Sequence, residues 1–213
     1  MPNWCENWGV ITHKEQSKLD ALNEAIEQGK LLEFCSPPPK EVQDDLDRST
    51  KATDLLMRDK ETHPLTSDEQ AWLDEYNKTK TNTPLWYEWR HENWGVKWEV
   101  EVHNTDYYRG TYDSLPEAHI SLGFDSAWGP PNEAFRQLAS MGYEFDIFFF
   151  EGGMDFCGHM VGRDGDFTYE SINDAVSVIR GPKEVQQDWM DDEFDHIAED
   201  DFYEEDEEVA TAH

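Results

Sequence analysis

Apolar and polar residues alternate along this chain with two different periods, and the switches between them outline its elements. Residues 4–13, WCENWGVITH, are rich in aromatic and β-branched side chains and predict a strand. Across residues 14–28 the apolar positions Leu19, Leu22 and Ile26 fall at spacings of three and four, one face of a helix, and Gly29 ends it. Residues 31–34 are a short apolar run stopped by Pro37-Pro38-Pro39. The sequence then turns polar and carries two helical patterns. Residues 41–60 hold Val42, Leu46, Leu55 and Leu56, and residues 67–80 hold Trp72, Leu73 and Tyr76. Thr66 or Ser67 ahead of Asp68 and Glu69 is a suitable start for the second, since a hydroxyl caps free N–H groups and acids favour the positive end of the helix dipole.

Residues 85–104, LWYEWRHENWGVKWEVEVHN, are densely aromatic, and within them residues 97–103 set Trp98, Val100 and Val102 against Lys97, Glu99 and Glu101, the period of a half-buried strand. Residues 119–124 predict another strand through Ile120, Leu122 and Phe124. Pro130-Pro131-Asn132 introduces a helix carrying Phe135, Leu138 and Met141 and closed by Gly142. Residues 143–151 form a very apolar strand, and residues 156–161 and 167–169 flank Arg163-Asp164-Gly165-Asp166, whose Asp-Gly step favours a tight hairpin turn. Residues 172–179 predict a short helix before Gly181-Pro182. This order predicts an α+β fold of ferredoxin-like type, a β-α-β-β-α-β antiparallel sheet with helices on one face, to which a helical insertion, an extra hairpin and an acidic C-terminal helical segment are added. The divisions are residues 1–39 and 84–181 for the sheet domain, 40–83 for the insertion and 182–213 for the acidic segment.

Charge narrows the functions open to such a fold. The 213 residues carry 48 Asp and Glu against 17 Lys and Arg, a formal net charge of −31, yet 13% are aromatic, which implies a packed core and not an acidic disordered chain. Direct binding to nucleic acid is excluded on this balance, because phosphate contacts require clustered Lys and Arg. No apolar run approaches the roughly 20 residues that span a bilayer. The opening MPNWCENWGV has neither a basic flank nor a leader-like apolar stretch, and Cys5, Cys35 and Cys157 are too few and too scattered for a disulfide scaffold, so a cytoplasmic protein is expected. Residues 184–213 hold 14 acidic residues and no Lys or Arg.

Three stretches carry a family resemblance: MPNWCEN at residues 1–7, WYEWRHENWGVKW at 86–98 and FDSAWGPP at 124–131, with YEFDIFFFEGGMDFCG completing the pattern. Together they resemble the YubB-type family of plasmid and phage proteins. The resemblance implies a ferredoxin-like domain and a mobile-element origin, and it transfers no catalytic residue. It covers a little over half of the chain and leaves out residues 40–83 and everything beyond Gly181.

Candidate chemistry is sparse. Cys157 and His159 alternate on one strand and so share a face, but no close Cys pair accompanies them, and neither a metal nor another cofactor is expected. Asp164 and Asp166 fit a hairpin turn and lack the length of a calcium loop. The histidines accompany no nucleophile elbow, and Gly152-Gly153 lacks the Lys of a phosphate loop, so a non-enzymatic role is expected. The acidic end is more informative. Met190, Phe194 and Ile197 form a narrow apolar stripe among carboxylates, and Trp189, Phe202 and Tyr203 would cost hydration if left bare. A dense carboxylate array steers basic surfaces into encounter and pairs with Arg as phosphate does. The leading expectation is therefore a nucleic-acid mimic that masks a basic, nucleic-acid-binding host protein. Its contact residues would be Asp188, Asp191, Asp192, Asp195, Glu199, Asp200, Asp201, Glu204, Glu205, Asp206, Glu207 and Glu208. The alternative is a small-ligand or protein-binding module that uses a Trp-rich face, Trp86, Trp89, Trp94 and Trp98, the acidic segment being solubilising or autoregulatory. Ahead of that ligand role, Trp89, Trp94 and Trp98 are expected to fill the space between sheet and helices.

Overall fold

The computed structural model describes residues 3–59, 61–108 and 118–173. In chain order its elements are β1 (Trp4–Thr12), α1 (Gln16–Glu27), α2 (Leu31–Cys35), α3 (Lys40–Met57), α4 (Ser67–Thr79), α5 (Leu85–Asn93), β2 (Glu101–Tyr108), β3 (His119–Ala127), α6 (Asn132–Ser140), β4 (Glu144–Glu151), β5 (Phe156–Arg163) and β6 (Asp166–Asn173). The architecture is α+β. The described strands form one antiparallel sheet in the order β2-β3-β1-β4-β5-β6. No helix among the described residues is long and apolar enough to cross a membrane.

The two-residue period of each strand divides this sheet into unlike faces. On one, Ile11 lies between Ile120 and Phe145, and Leu122 and Ile147 flank Gly9 in the next row. Against this face pack Leu19, Leu22 and Ile26 of α1, Leu31, Leu32 and Cys35 of α2, and Ala134, Phe135, Leu138 and Ala139 of α6, forming the main core. Phe135 stands at its centre, stacked on Phe124 with ring centroids 5.9 Å apart and edge-on to Phe145 at 5.1 Å. Gly158 and Gly162 leave room for the rings of Phe149 and Phe145, with which any added Cβ would collide. Asn7 joins β1 to β3 from within, its amide donating to the Phe124 carbonyl at 3.2 Å and to Ser126 Oγ at 2.8 Å.

Both helices expected in the polar stretch are present. They pair around a satellite core of Ala52, Leu55 and Leu73, with Leu65, Trp72 and Tyr76 packed on it. Thr66 caps α4 with a full capping box, its hydroxyl accepting from the Glu69 N–H while the Glu69 carboxylate accepts from the Thr66 N–H.

The apolar run at 31–34, to which no element was assigned, is helical, with Leu31, Leu32 and Cys35 facing the core at helical spacing. Two local expectations are corrected. The strand expected over 97–103 begins only at Glu101 and is irregular between Val102 and Asn104, so the Trp98-Val100 alternation belongs to the segment leading into it. Ile172 lies in β6 and not in a helix, since hairpin pairing with Cys157 extends the strand to Asn173; the remainder of that expected helix falls outside the described residues. The Asp164-Gly165 turn is as expected, both residues having positive φ (52° and 87°) as a two-residue hairpin of the I′ kind requires.

Truncation at the centre of the core has a defined cost. Phe135→Ala is expected to lower the unfolding free energy by about 3–5 kcal/mol through lost burial and a residual cavity, measured by chemical denaturation.

Candidate functional site

The aromatic segment supplies most of the sequence-predicted ligand face, and folding divides it. Leu85–Asn93 is helical, and Gly95, at φ 82°, turns the chain away from that helix. Trp94 is 1% exposed within the main core, where its indole N–H donates to the Ser36 carbonyl at 2.8 Å. Trp89 packs edge-on against Trp94 and joins the same core from its margin. Trp86 is half-buried; its backbone N–H donates to Asp45 Oδ2 of α3 at 3.3 Å, and the Arg90 guanidinium lies over its ring and, at 4.5 Å, over that of Trp94. These three indoles fill space and hold α5 in place. They do not form one surface with Trp98.

Trp98 lies beyond the turn, half-buried, and meets two tryptophans that the sequence reading passed over. Its ring stacks on that of Trp128 with centroids 5.3 Å apart and tilts toward Trp4 at 6.4 Å. Trp4 and Trp128 are 52% and 47% exposed, so the trio presents a solvent-facing aromatic surface. Trp128 has φ 65°, a left-handed conformation that a bulky residue rarely adopts, with its N–H donating to the Asn3 carbonyl at 2.8 Å. Backbone strain that keeps a large indole exposed is the kind of outlier found at binding surfaces. The ring of Trp98 already carries a cation, the Lys97 Nζ at 4.6 Å.

Beside this trio lies a row of carboxylates. Register sets Glu101 opposite Asp125 and Asp125 opposite Glu6, three acids across adjacent strands β2, β3 and β1. They occupy the sheet face away from α1, α2 and α6. Trp4, Glu99, Glu101, His103 and Asp125 line a cleft of about 500 Å³ there. Like charges directly opposite one another destabilise a sheet, so this row works against the fold that displays it.

Glu99 has a different task. Its carboxylate accepts from the N–H groups of Leu32 (2.7 Å), Glu33 (2.9 Å) and Val100 (3.1 Å), tying the segment before β2 to the start of α2. Burial pushes its pKa above the ordinary value of 4.5 although those N–H groups pull it down. The three cysteines are free, buried thiols. Burial raises all of their pKa values, that of Cys157 to about 11, which leaves them protonated and poorly nucleophilic at neutral pH. His159 stacks on Phe148 at 4.4 Å and contacts the Asp146 carboxylate. Among the described residues no three His, Cys, Asp or Glu side chains come together as a metal set. The expected contact residues from Asp188 to Glu208 lie outside the described residues.

No family model matches the chain, and no curated protein matches it. Among solved structures, the crystal structure of a protein api92 from Yersinia pseudotuberculosis, of family DUF1281, is similar at 11% identity over 81% of this chain and 98% of that one, with a TM-score of 0.42. A likeness at that level carries no conclusion about fold or activity.

Two measurements follow from this geometry. Asp125→Asn relieves repulsion on both sides and is expected to raise stability by about 0.2–1 kcal/mol, read as a higher denaturation midpoint. For Glu99 the raised pKa means a contribution to stability that is complete below about pH 4.5 and is lost as pH rises through the raised value. Wild type should therefore lose stability with rising pH above that point more steeply than Glu99→Gln, by at most about 1.4 kcal/mol per pH unit, measured as the difference between their pH–stability curves.

Proposed function

We propose that the protein is a non-enzymatic acidic binding protein that occupies the basic surface of a nucleic-acid-binding partner, presenting carboxylates where that partner would meet phosphates. The Glu101–Asp125–Glu6 row beside the exposed Trp4–Trp98–Trp128 surface carries this reading. Carboxylates give long-range attraction and bidentate pairing with Arg. Exposed indoles add cation–π contact and the large apolar anchors on which interfaces depend. The sequence from Asp188 to Glu208 adds further carboxylates to the chain, and the net charge of −31 gives its negative field reach. Buried, protonated thiols support a binding role over cysteine chemistry.

The same proposal extends to the fold and its divisions. Strand order β2-β3-β1-β4, with α1 and α6 packed on one face, supports a ferredoxin-like unit to which β5 and β6 add the hairpin. The separate small core of α3 and α4 supports residues 40–83 as an insertion between 1–39 and 84–181, with 182–213 as the acidic segment. The YubB-type resemblance, read as a mobile-element origin, makes a host protein in the cytoplasm the partner to seek.

The test is retention of host-lysate proteins on the immobilised full chain at low salt. Basic nucleic-acid-binding proteins should be enriched and displaced by duplex DNA or by added salt. A Glu6→Gln, Glu101→Gln, Asp125→Asn triple variant should retain them less well, and deletion of residues 184–213 should weaken retention further. Retained proteins with no basic bias, or no displacement by DNA, overturn the reading.

A further inference from the structure

Indoles in this protein serve repeatedly as platforms for its own cations. Lys51 stands over the Trp72 ring at 4.2 Å and Lys97 over that of Trp98 at 4.6 Å. The Arg90 guanidinium lies 4.5 Å from the centre of the Trp94 ring and 5.5 Å from that of Trp86. Burial works against its charge there, and the carboxylates of Glu99 and Glu33 work in its favour. A guanidinium on an indole with carboxylates nearby is thus an arrangement the fold already uses. Indole and carboxylates converge a second time in the cleft of about 500 Å³ lined by Trp4, Glu99, Glu101, His103 and Asp125. The Glu99 carboxylate is engaged by the N–H groups at the start of α2. Glu101 and Asp125, partners across β2 and β3, differ from it: among the described residues no hydrogen bond or ion pair engages either carboxylate. Glu101 and His103 are exposed and Asp125 is half-buried. Trp4, half exposed, meets the ring of Trp98 at its side.

We infer that this cleft takes the guanidinium of an arginine presented by the basic partner, in preference to the ammonium of a lysine. This rests on the acidic-binding reading above and names the group that its surface recognises. A guanidinium is planar and weakly hydrated, so it lies flat on an indole while the N–H groups around its edge reach carboxylates beside the ring. Side chains directly opposite on adjacent antiparallel strands start about 5 Å apart. A fork of several donors can therefore engage Glu101 and Asp125 together, and in doing so it removes the repulsion between them. An ammonium is a compact charge with a firmly held hydration shell; it pairs with an acid but gains less from the ring. Trp4 thus supplies the selectivity, and the two acids supply most of the attraction.

The test titrates the full-length protein at low salt with two capped peptides, Gly-Ser-Arg-Ser-Gly and Gly-Ser-Lys-Ser-Gly. Binding is followed through the indole N–H signals of the isotope-labelled protein, which report weak affinities and their place. The arginine peptide is expected to bind about fivefold more tightly and to shift the Trp4 signal. Trp4→Leu is expected to bring its affinity down to that of the lysine peptide, and a Glu101→Gln, Asp125→Asn variant to weaken both. The fold of each variant is checked by its denaturation curve, and the acid variant relieves a repulsion. Equal or reversed affinities, or an arginine preference that both variants retain, overturn the guanidinium site and leave the acidic-binding reading intact. Failure of both peptides to bind, while basic proteins are still retained from lysate and displaced by DNA, overturns this inference alone. If that retention also fails, both readings fall.

Discussion

The placement of β1 between β3 and β4 is the constraint on which the rest depends. Its pairing fixes nine residues against β3 and seven against β4, and the alternation of a strand then leaves no freedom in what faces where. Ile11, Gly9 and Asn7 are turned toward the helices, and Glu6, Trp8 and Val10 away from them. A slip of one residue would place carboxylates in the core and isoleucine in solvent. The core on the helix side, with Phe135 wedged between Phe124 and Phe145, is the main force that holds this register.

The two faces divide the work between stability and recognition. Burial on the helix side offsets repulsion on the other, where Glu101, Asp125 and Glu6 stand opposite one another and Trp128 keeps a left-handed backbone. Neither feature helps the chain fold. Under the proposed binding role the exposed indoles are already in place, so little ordering would be needed there when a basic partner approaches. Tryptophan has two functions in one short segment. Trp94 is a core residue that anchors the chain through Ser36, whereas Trp98, four residues on, belongs to an exposed surface.

Much of the fold was legible from local pattern. The three- and four-residue spacing of Leu19, Leu22 and Ile26, the FDIFFF strand and the Asp164-Gly165 turn all report short-range physics that survives folding. Local pattern fell short where a tertiary demand completed or overrode it. Residues 31–34 were too short to show a period, and their helix depends on the core beside it and on the Glu99 carboxylate at its start, 67 residues distant from Leu32. Strand periodicity in Trp98 and Val100 was real as a pattern, but among the described residues the pairing of β2 begins only at Glu101.

The candidate site was less legible, because contiguity in sequence is not contiguity in space, although the core role expected of Trp89 and Trp94 is the one they have. Trp86, Trp89, Trp94 and Trp98 lie close along the chain and separate on folding, while Trp4, Trp98 and Trp128 come from three distant segments and meet. Composition and periodicity were enough to specify an acidic α+β protein with a sheet, its helices and a core, since charge and alternation are properties of neighbouring residues. Which acids stand in rows, and which indoles remain at the surface, was settled only by strand pairing. Register joins residues more than a hundred positions apart, and nothing in a local window carries that information.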